Sequence, residues 1–596
     1  MAINNPYIPG DPFSYDLKWI IAKLKEHGTI LSTLDERIAS AVQQQLSQSS
    51  PVYYKTAANL IASDALTPSL AYIEGFYEVG DLGANLYYVT DDYNDVLNAD
   101  FYLTLDGANR WAIPVITSPF VTPEMFGAKG DGVEDDTKAI QTAIKYPHAI
   151  LNKTYRVTET LTCSGSTKIS GVGVINDEVP EGTITFEFPA LFLIDTKENV
   201  EISGLTIYGP GSLTDNTIQN RVVFKTISSK NVELHHMRLF DIAAAYCFRF
   251  DATDGIDVHH NVVDRYTFVG VGMFSGCQNA NISDNELYEL TGTNSYNYAI
   301  TLSAHEGQMI TSKHVICSRN TIVCTSPVWE AIDAHGGENL IITDNHITNA
   351  LNGIAVLDNL DDLNNPWTLN DVVITGNIIE LGTNTAFGRV ANNSCIVANG
   401  NNIVIQNNVL KNAGYICAGQ NSSGAVFVAG NNIDVANNVI NNVNGHVFQH
   451  KWGTNVCIHD NQVINWRWTP SGSLAWAIFY WQSETANIPH DGDTYVERNI
   501  IHDAPTDARL ARAFANLGVN GGICYVKDNV VPAAANVLSQ PANIVCTPYT
   551  GFPGRVGHVG DVIMKSNPTS GTSLGWICTV DYVNGAGGTW TPLPSL

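Results

Sequence analysis

NLIITDNHI (339–347), DVVITGNII (371–379) and NIVIQNNVL (402–410) share one register: apolar, any, apolar, two polar residues, Asn, any, apolar. The same register extends in both directions. Before these copies stand NVEISGLTI (199–207), NVELHHMRL (231–239), GIDVHHNVV (255–263), NANISDNEL (279–287) and HVICSRNTI (314–322). After them come NIDVANNVI (432–440) and NVCIHDNQV (455–463), with weaker copies DTYVERNII (493–501) and ICYVKDNVV (523–531). The repeat averages about 29 residues, with the step from Asn438 to Asn461 among the shortest and that from Asn461 to Asn499 the longest. Period-2 alternation within each copy argues strand, not helix. A second short strand precedes each copy, as in YCFRF, YAITL, EAIDAH, NGIAVL and GHVFQH. Two or three short strands, one turn Asn and no helix make one coil of a parallel β-helix, stacked at about 4.8 Å. The column Asn261, Asn285, Asn320, Asn345, Asn377, Asn408, Asn438, Asn461, Asn499 and Asn529 then forms a ladder of side-chain amides. Leu205 and Met237 take its place in the first two copies. Asn tolerates unusual turn backbone, so the column is assigned structure and no chemistry.

The composition narrows the function. The chain of 596 residues has 44% hydrophobic residues, enough for a large core, but only 15% charged. Its formal net charge is −27, which argues against a nucleic-acid or anionic-membrane surface. No apolar run approaches the roughly 18 residues of a membrane span, and MAINNPYIPG does not read as a secretory signal. The 11 cysteines are scattered without a C-x-x-C pair or zinc-like spacing, which suggests buried thiols of a protein made in a reducing cytoplasm. No cofactor or metal is expected.

Four segments follow. Residues 1–50 hold a helix over 13–47 with Leu17, Ile20, Leu24, Leu31, Leu34, Ile38 and Ala41 at heptad spacing. Such a helix needs a partner for its apolar seam, and a short parallel coiled coil supplies one. Residues 51–119 read as a small β-rich connector, with two strands in GFYEVGDLGANLYYVTDD and a last strand over Trp111–Ile116. Residues 120–535 carry the repeat. Residues 536–596 read as a C-terminal β module. At the head of the repeat, Asp135 and Asp136 precede the apolar helix of Ala139, Ile140, Ala143 and Ile144, and capping explains them better than a calcium site with Asp131 and Glu134.

FGAKGDGVEDDTKAIQTAI, at 126–144, resembles the N-terminal signature of the pectate-lyase-like right-handed β-helix superfamily, common in phage tailspikes and capsule depolymerases. GFYEVGDLGANLYYV and GWICT…GGTW are similar to modules that flank such helices in phage proteins. The resemblance covers most of residues 70–596. It implies an all-β, right-handed parallel β-helix of about 12 coils, assembled as a homotrimer. It further implies attachment to a virion tail or adaptor protein through the N-terminus. The expected partner is a bacterial surface polysaccharide, bound and usually cleaved at the cell surface.

Hydrolysis of a glycosidic bond takes two carboxyl groups, whereas a lyase takes a base and a neutralising cation. Aligned on their inward apolar pairs, the upstream strands present an outward column. VWEAIDAHGGEN is anomalous in it: Asp333 and His335 share one strand face, with Glu330 and Trp329 just before them. WEAIDAHGG also looks like a segment of some phage depolymerase β-helices. Glu306 and Asp358 flank this coil on its neighbours. The reading makes Asp333 exposed and ionised, Glu330 its protonated partner and His335 a tuning group. The same residues would serve as a surface ion pair worth under about 1 kcal/mol. For a lyase, His335 is the base and Arg249 or Arg319 the neutraliser. The run WRWTPSGSLAWAIFYWQSE offers Trp466, Trp468, Trp476 and Trp481 as stacking faces for sugar rings, beside Arg467 and Lys451. Aromatics in such a run also fill cores and seams. The overall expectation is a polysaccharide depolymerase, most simply a glycoside hydrolase, with a lyase or a non-catalytic receptor-binding spike as alternatives.

Overall fold

Alternating apolar residues close a sheet only where neighbouring coils keep step, and the strand pairing of a computed structural model of the chain shows that they do. The structure describes Gln44 and residues 50–596 except 98, 107–108, 117, 183–187, 210–219, 291–296, 305–309, 325–329, 359–367, 383–392, 415–423, 468–476, 482–493, 503–511, 517–522, 528, 531–535, 539–542, 550–561, 566–574, 581–588 and 593–596. The heptad segment Leu17–Ala41 lies outside the described residues. Two units are distinguished, one of residues 1–179 and 199–206, the other of residues 180–198 and 207–596. Among the described residues no helix is long and apolar enough to cross a membrane.

The first unit opens with a five-stranded sheet. Val52–Tyr54 pairs in parallel with Ser69–Ile73, which pairs antiparallel with Asn85–Thr90 and, through it, with Trp111–Val115. Leu60, Ile73, Tyr87 and Val89 are its buried core. The expected strand within GFYEV is instead a loop. Its backbone is gathered by one carboxylate: Asp81 accepts from the amides of Phe76, Tyr77, Glu78 and Gly83. At the head of the repeat, the helix Thr137–Ala143 is capped as expected by only one of the two acids. Asp135 Oδ1 accepts from the Thr137 amide at 3.1 Å. Asp136 turns back and holds the Gly-rich loop, accepting from the amides of Lys129 and Gly130.

Among its described residues the second unit is almost all strand, with three strands per coil. In consecutive coils, Val222–Ile227 pairs with Tyr246–Asp251, Lys230–His235 with Asp254–His259, and Arg238–Ile242 with Val262–Tyr266, all in parallel. These three ladders, with parallel crossovers, are those of a β-helix. Ile396–Gln406 and Gly424–Ala436 run unbroken through the first two ladders. The interior is a set of columns. Phe192, Phe224 and Phe248 are in register and stack with ring centroids 5.2 and 5.3 Å apart. The column continues through Val271, Ile300, Ile332 and Ile354.

The Asn column closes the turn between the second and third ladders. Asn320 donates through both N and Nδ2 to Asn345 Oδ1, at 3.0 and 2.9 Å. Asn345 does the same to Asn377, and the chain of bonds runs on to Asn529. The left-handed backbone falls one residue earlier than expected. His260, Asp284, Arg319 and Asp344, each just before a ladder Asn, have φ of 55–56°. The ladder Asn thus supplies hydrogen bonds, while its predecessor makes the turn. At the C-terminus, Val562–Lys565, Gly575–Val580 and Thr589–Pro592 pair antiparallel.

Candidate active site

The strand Glu330–His335 belongs to the first ladder. Pairing there skips one residue per coil. Tyr298 pairs with Glu330 and Ile300 with Ile332, while Ala299 and Ala331 fall between. The same skip occurs at Cys247 and Gly353. This break in alternation lets residues three apart share a face. In the Tyr246 coil, the Arg249 guanidinium lies 4.9 Å from the Tyr246 ring centroid and 2.8 Å from Asp251 Oδ2. The equivalent positions of the Asp333 coil are Glu330, Asp333 and His335, and ligand-type atoms of all three lie within 4.8 Å of one another.

Asp333 is at the centre. Its Oδ2 accepts a 2.8 Å hydrogen bond from Thr301 Oγ1, its register partner on the preceding coil. Its Oδ1 faces His335 Nε2 at 3.4 Å. Glu330 hydrogen-bonds it side chain to side chain. Here the structure corrects the sequence reading. Strand alternation does put Asp333 opposite Ile332 and Ala334, but Asp333 is only 1% exposed. Thr301, Ala355 and Gln449 in the same column are also buried. Burial pushes the Asp333 carboxyl up, and this outweighs the opposing pull of the His335 charge, the Thr301 and Glu330 hydrogen bonds and the Ala334 amide. The Glu330 bond favours the charged form of Asp333, so the shared proton belongs to the carboxyl pair and not to Asp333 alone. Glu330 is buried as well, and the His335 side chain, 31% exposed, is the member that meets water.

Such a trio can store, give up and take back a proton. The same three groups also have the makings of a divalent-cation site, in which Asp333 Oδ1 is the free corner because Oδ2 is engaged by Thr301.

The other expected residues divide three ways. Asp358 directly follows Asn352–Leu357, whose Leu357 pairs with His335, so it stands at the His335 end of the next coil; it is buried. Lys451, half-buried, follows His446–His450, and its amide donates to Val428 O. Trp466 is corrected: it is 2% exposed, and Nε1 donates to Gly445 O at 2.8 Å, so it is a core residue and offers no face to a sugar. Arg467 and Trp481 lie in the strands Gln462–Arg467 and Ala477–Trp481. Glu306, Trp329, Trp468 and Trp476 lie outside the described residues. Neither cation assigned to a lyase is available. Arg249 is buried, bound by two hydrogen bonds to Asp251 and set over the rings of Phe188, Tyr246 and Phe274. Arg319 is bidentate to Asp284.

Sequence reasoning paired Glu330 with Asp333 but missed Thr301 as the partner of Asp333. The small residues Cys247, Gly270, Ala299, Ala331 and Gly353, recurring just after the first outward position, are the signal that marks the skipped step.

No protein-family model matches the chain, and no curated protein matches it. Among solved structures, the chain is similar to PfbA, a surface adhesin of Streptococcus pneumoniae. That match has 14% identity and a TM-score of 0.41, covering 80% of this chain and 99% of that one. It is similar to the catalytic unit of a GH87 alpha-1,3-glucanase from Streptomyces thermodiastaticus, with 14% identity and a TM-score of 0.45, over 72% of this chain and 74% of that one. It is also similar to the DFA-IIIase of Arthrobacter chlorophenolicus, with 13% identity and a TM-score of 0.42, over 65% and 95%. Likenesses of this size say nothing of what this chain binds. Its fold rests on its own strand pairing and its site on its own side chains.

Proposed function

We propose that the protein is a homotrimeric, right-handed β-helix that binds a bacterial surface polysaccharide and hydrolyses its glycosidic bonds. In this reading it is a phage tailspike, joined to a virion tail or adaptor protein through residues 1–50. The observation that carries the enzymatic part is the Glu330–Asp333–His335 trio, a buried carboxyl pair that reaches water through a histidine. Glycosidases place their two carboxyl groups about 5–5.5 Å or 6.5–9.5 Å apart, on opposite sides of the scissile bond. Glu330 and Asp333 bond each other directly. They therefore act as one proton-holding unit instead of two opposed groups. The Glu330–Asp333 pair supplies the proton, His335 passes it to the leaving glycosidic oxygen, and the C–O bond breaks. Water adds at the anomeric carbon, and its proton goes to a second carboxylate, for which Asp358 on the next coil is the candidate.

Self-association is supported by the second ladder. Ile316, Ile341, Val373 and Val404 are in register on its outer face, and Ile316 and Ile341 are 41% and 39% exposed. An apolar stripe four coils long favours a second copy over water.

The burial of Asp333 favours one rival, a non-catalytic receptor-binding spike in which Thr301–Asp333 only knits two coils together. Incubation with a panel of bacterial surface polysaccharides separates the readings. New reducing ends without ultraviolet absorbance identify a hydrolase. Reducing ends with unsaturated-uronate absorbance identify a lyase. Binding without fragmentation identifies a receptor spike.

A further inference from the structure

Two consecutive coils carry a His–His pair at the turn that leaves the second ladder. His235 is in register with His259, and their rings stack with centroids 4.8 Å apart and planes 12° from parallel. His236 and His260 stack beside them at 5.0 Å and 1°. Adjacent residues of an extended strand point to opposite faces. Here φ is 54° at His236 and 55° at His260, and that turn brings the neighbouring rings edge to edge. Nδ1 of His235 lies 2.7 Å from Nδ1 of His236, and Nδ1 of His259 lies 2.9 Å from Nδ1 of His260. The ligand-type nitrogens of His235, His236 and His259 all fall within 4.8 Å of one another.

The opposite ring edges meet carboxylates. His259 Nε2 is 3.1 Å from Glu233 Oε1 and 3.9 Å from Asp257 Oδ2, and His235 Nε2 is 3.7 Å from the same Glu233 oxygen. A carboxylate only accepts, so a neutral His259 facing Glu233 carries its proton on Nε2 and keeps the Nδ1 lone pair. Histidines that bind metals are oriented in this way, with the far nitrogen donating to a carboxylate.

We infer that His235, His236 and His259 form a binding site for a divalent first-row transition ion such as zinc or nickel, with Glu233 setting the tautomer of His259. Imidazole nitrogen suits these ions, and two nitrogens on one tetrahedral zinc stand about 3.3 Å apart. The 2.7 Å pair reaches that separation by a small rotation of two partly exposed rings. His260 or water completes the shell. No local spacing announces the site, because its ligands meet only when one coil stacks on the next. The inference stands apart from the glycan reading and shares no residue with it.

Titration of the untagged protein with Zn²⁺ by calorimetry, with equilibrium dialysis for stoichiometry, tests it. The expected result is one ion per chain with a dissociation constant in the micromolar range or below. His235→Ala and His259→Ala should each weaken binding at least tenfold, and Glu233→Gln by about 10–100-fold. His346→Ala, an exposed histidine on another coil, should leave it unaltered. His335→Ala separates this site from the Glu330–Asp333–His335 trio and should also leave it unaltered. A wild-type readout that needs no variant is Co²⁺, which should give the visible bands of nitrogen-ligated tetrahedral cobalt, bleached by Zn²⁺. Absence of saturable binding, binding undiminished in the His235→Ala/His259→Ala double variant, or loss of binding in His335→Ala would each overturn the assignment.

Discussion

Thr301 Oγ1 donates a 2.8 Å hydrogen bond across one coil step to Asp333 Oδ2, and both side chains are buried. The bond fixes one carboxyl oxygen and leaves the other facing His335. An amide at position 333 preserves this geometry, because its oxygen still accepts from Thr301, while the exchangeable acid proton is gone. Asp333→Asn is therefore expected to fold and assemble as the wild type does. Its turnover of the polysaccharide should fall by on the order of 10²–10⁴-fold, the usual worth of positioned acid–base chemistry. Reducing-end release at saturating substrate checks it, and a wild-type rate would sink the assignment.

The same pair predicts a pH dependence of stability. A carboxyl whose native pKa lies above its unfolded value holds its proton to higher pH in the folded chain than in the unfolded one. Its contribution is complete below the unfolded value of 3.8 and is lost as pH rises through the raised native value. Asn at 333 has nothing to lose. The melting temperature of Asp333→Asn minus that of the wild type should widen as pH rises from about 4 to 8. A constant difference over that range would mean that burial does not raise the Asp333 carboxyl.

Trp466 separates core from binding face. Trp466→Ala removes a buried ring and orphans Gly445 O, and is expected to cost about 3–5 kcal/mol. Glycan affinity of the folded fraction should not change. Denaturant unfolding beside glycan titration measures both, and a selective loss of affinity at unaltered stability would restore Trp466 to the binding surface.

Asn345 accepts from Asn320 N and Nδ2 and donates to Cys317 O and Asn377 Oδ1, all buried. Asn345→Ala leaves several of these groups without partners, at roughly 1–3 kcal/mol for each that water does not reach. Thermal unfolding should register a marked fall, with no effect on glycan chemistry in the protein that remains folded.

The outward stripe of Ile316, Ile341, Val373 and Val404, exposed at its two isoleucines and half-buried at its two valines, makes a statement about assembly. Ile341→Asp puts a charge in its centre, and burying that charge against a second copy is costly. Light scattering should find a trimer for the wild type and a smaller species for the variant. A variant that stays trimeric would place the seam elsewhere.

The sequence by itself determined the coil. Side-chain direction in a strand alternates with period two whatever surrounds it, and the register repeats. The inner column Ile300, Ile332 and Ile354 and the ladder from Asn261 to Asn529 were therefore legible residue by residue. Asp333 was legible as an outward position and Glu330 as its neighbour in the chain. Three things were decided only by the stacked structure. Exposure was one, because outward from a coil is not outward to water, and the column of Thr301, Asp333 and Gln449 is buried. With burial came an upward push on the Asp333 carboxyl that an exposed position would not have had. Partnership was the second: Thr301 meets Asp333, and His235 meets His259, across a coil step whose length varies from copy to copy. The third was the fate of single residues within a motif, Trp466 entering the core and Asp136 holding a loop. Local pattern fixes where a side chain points, but what it meets there depends on contacts far apart in sequence.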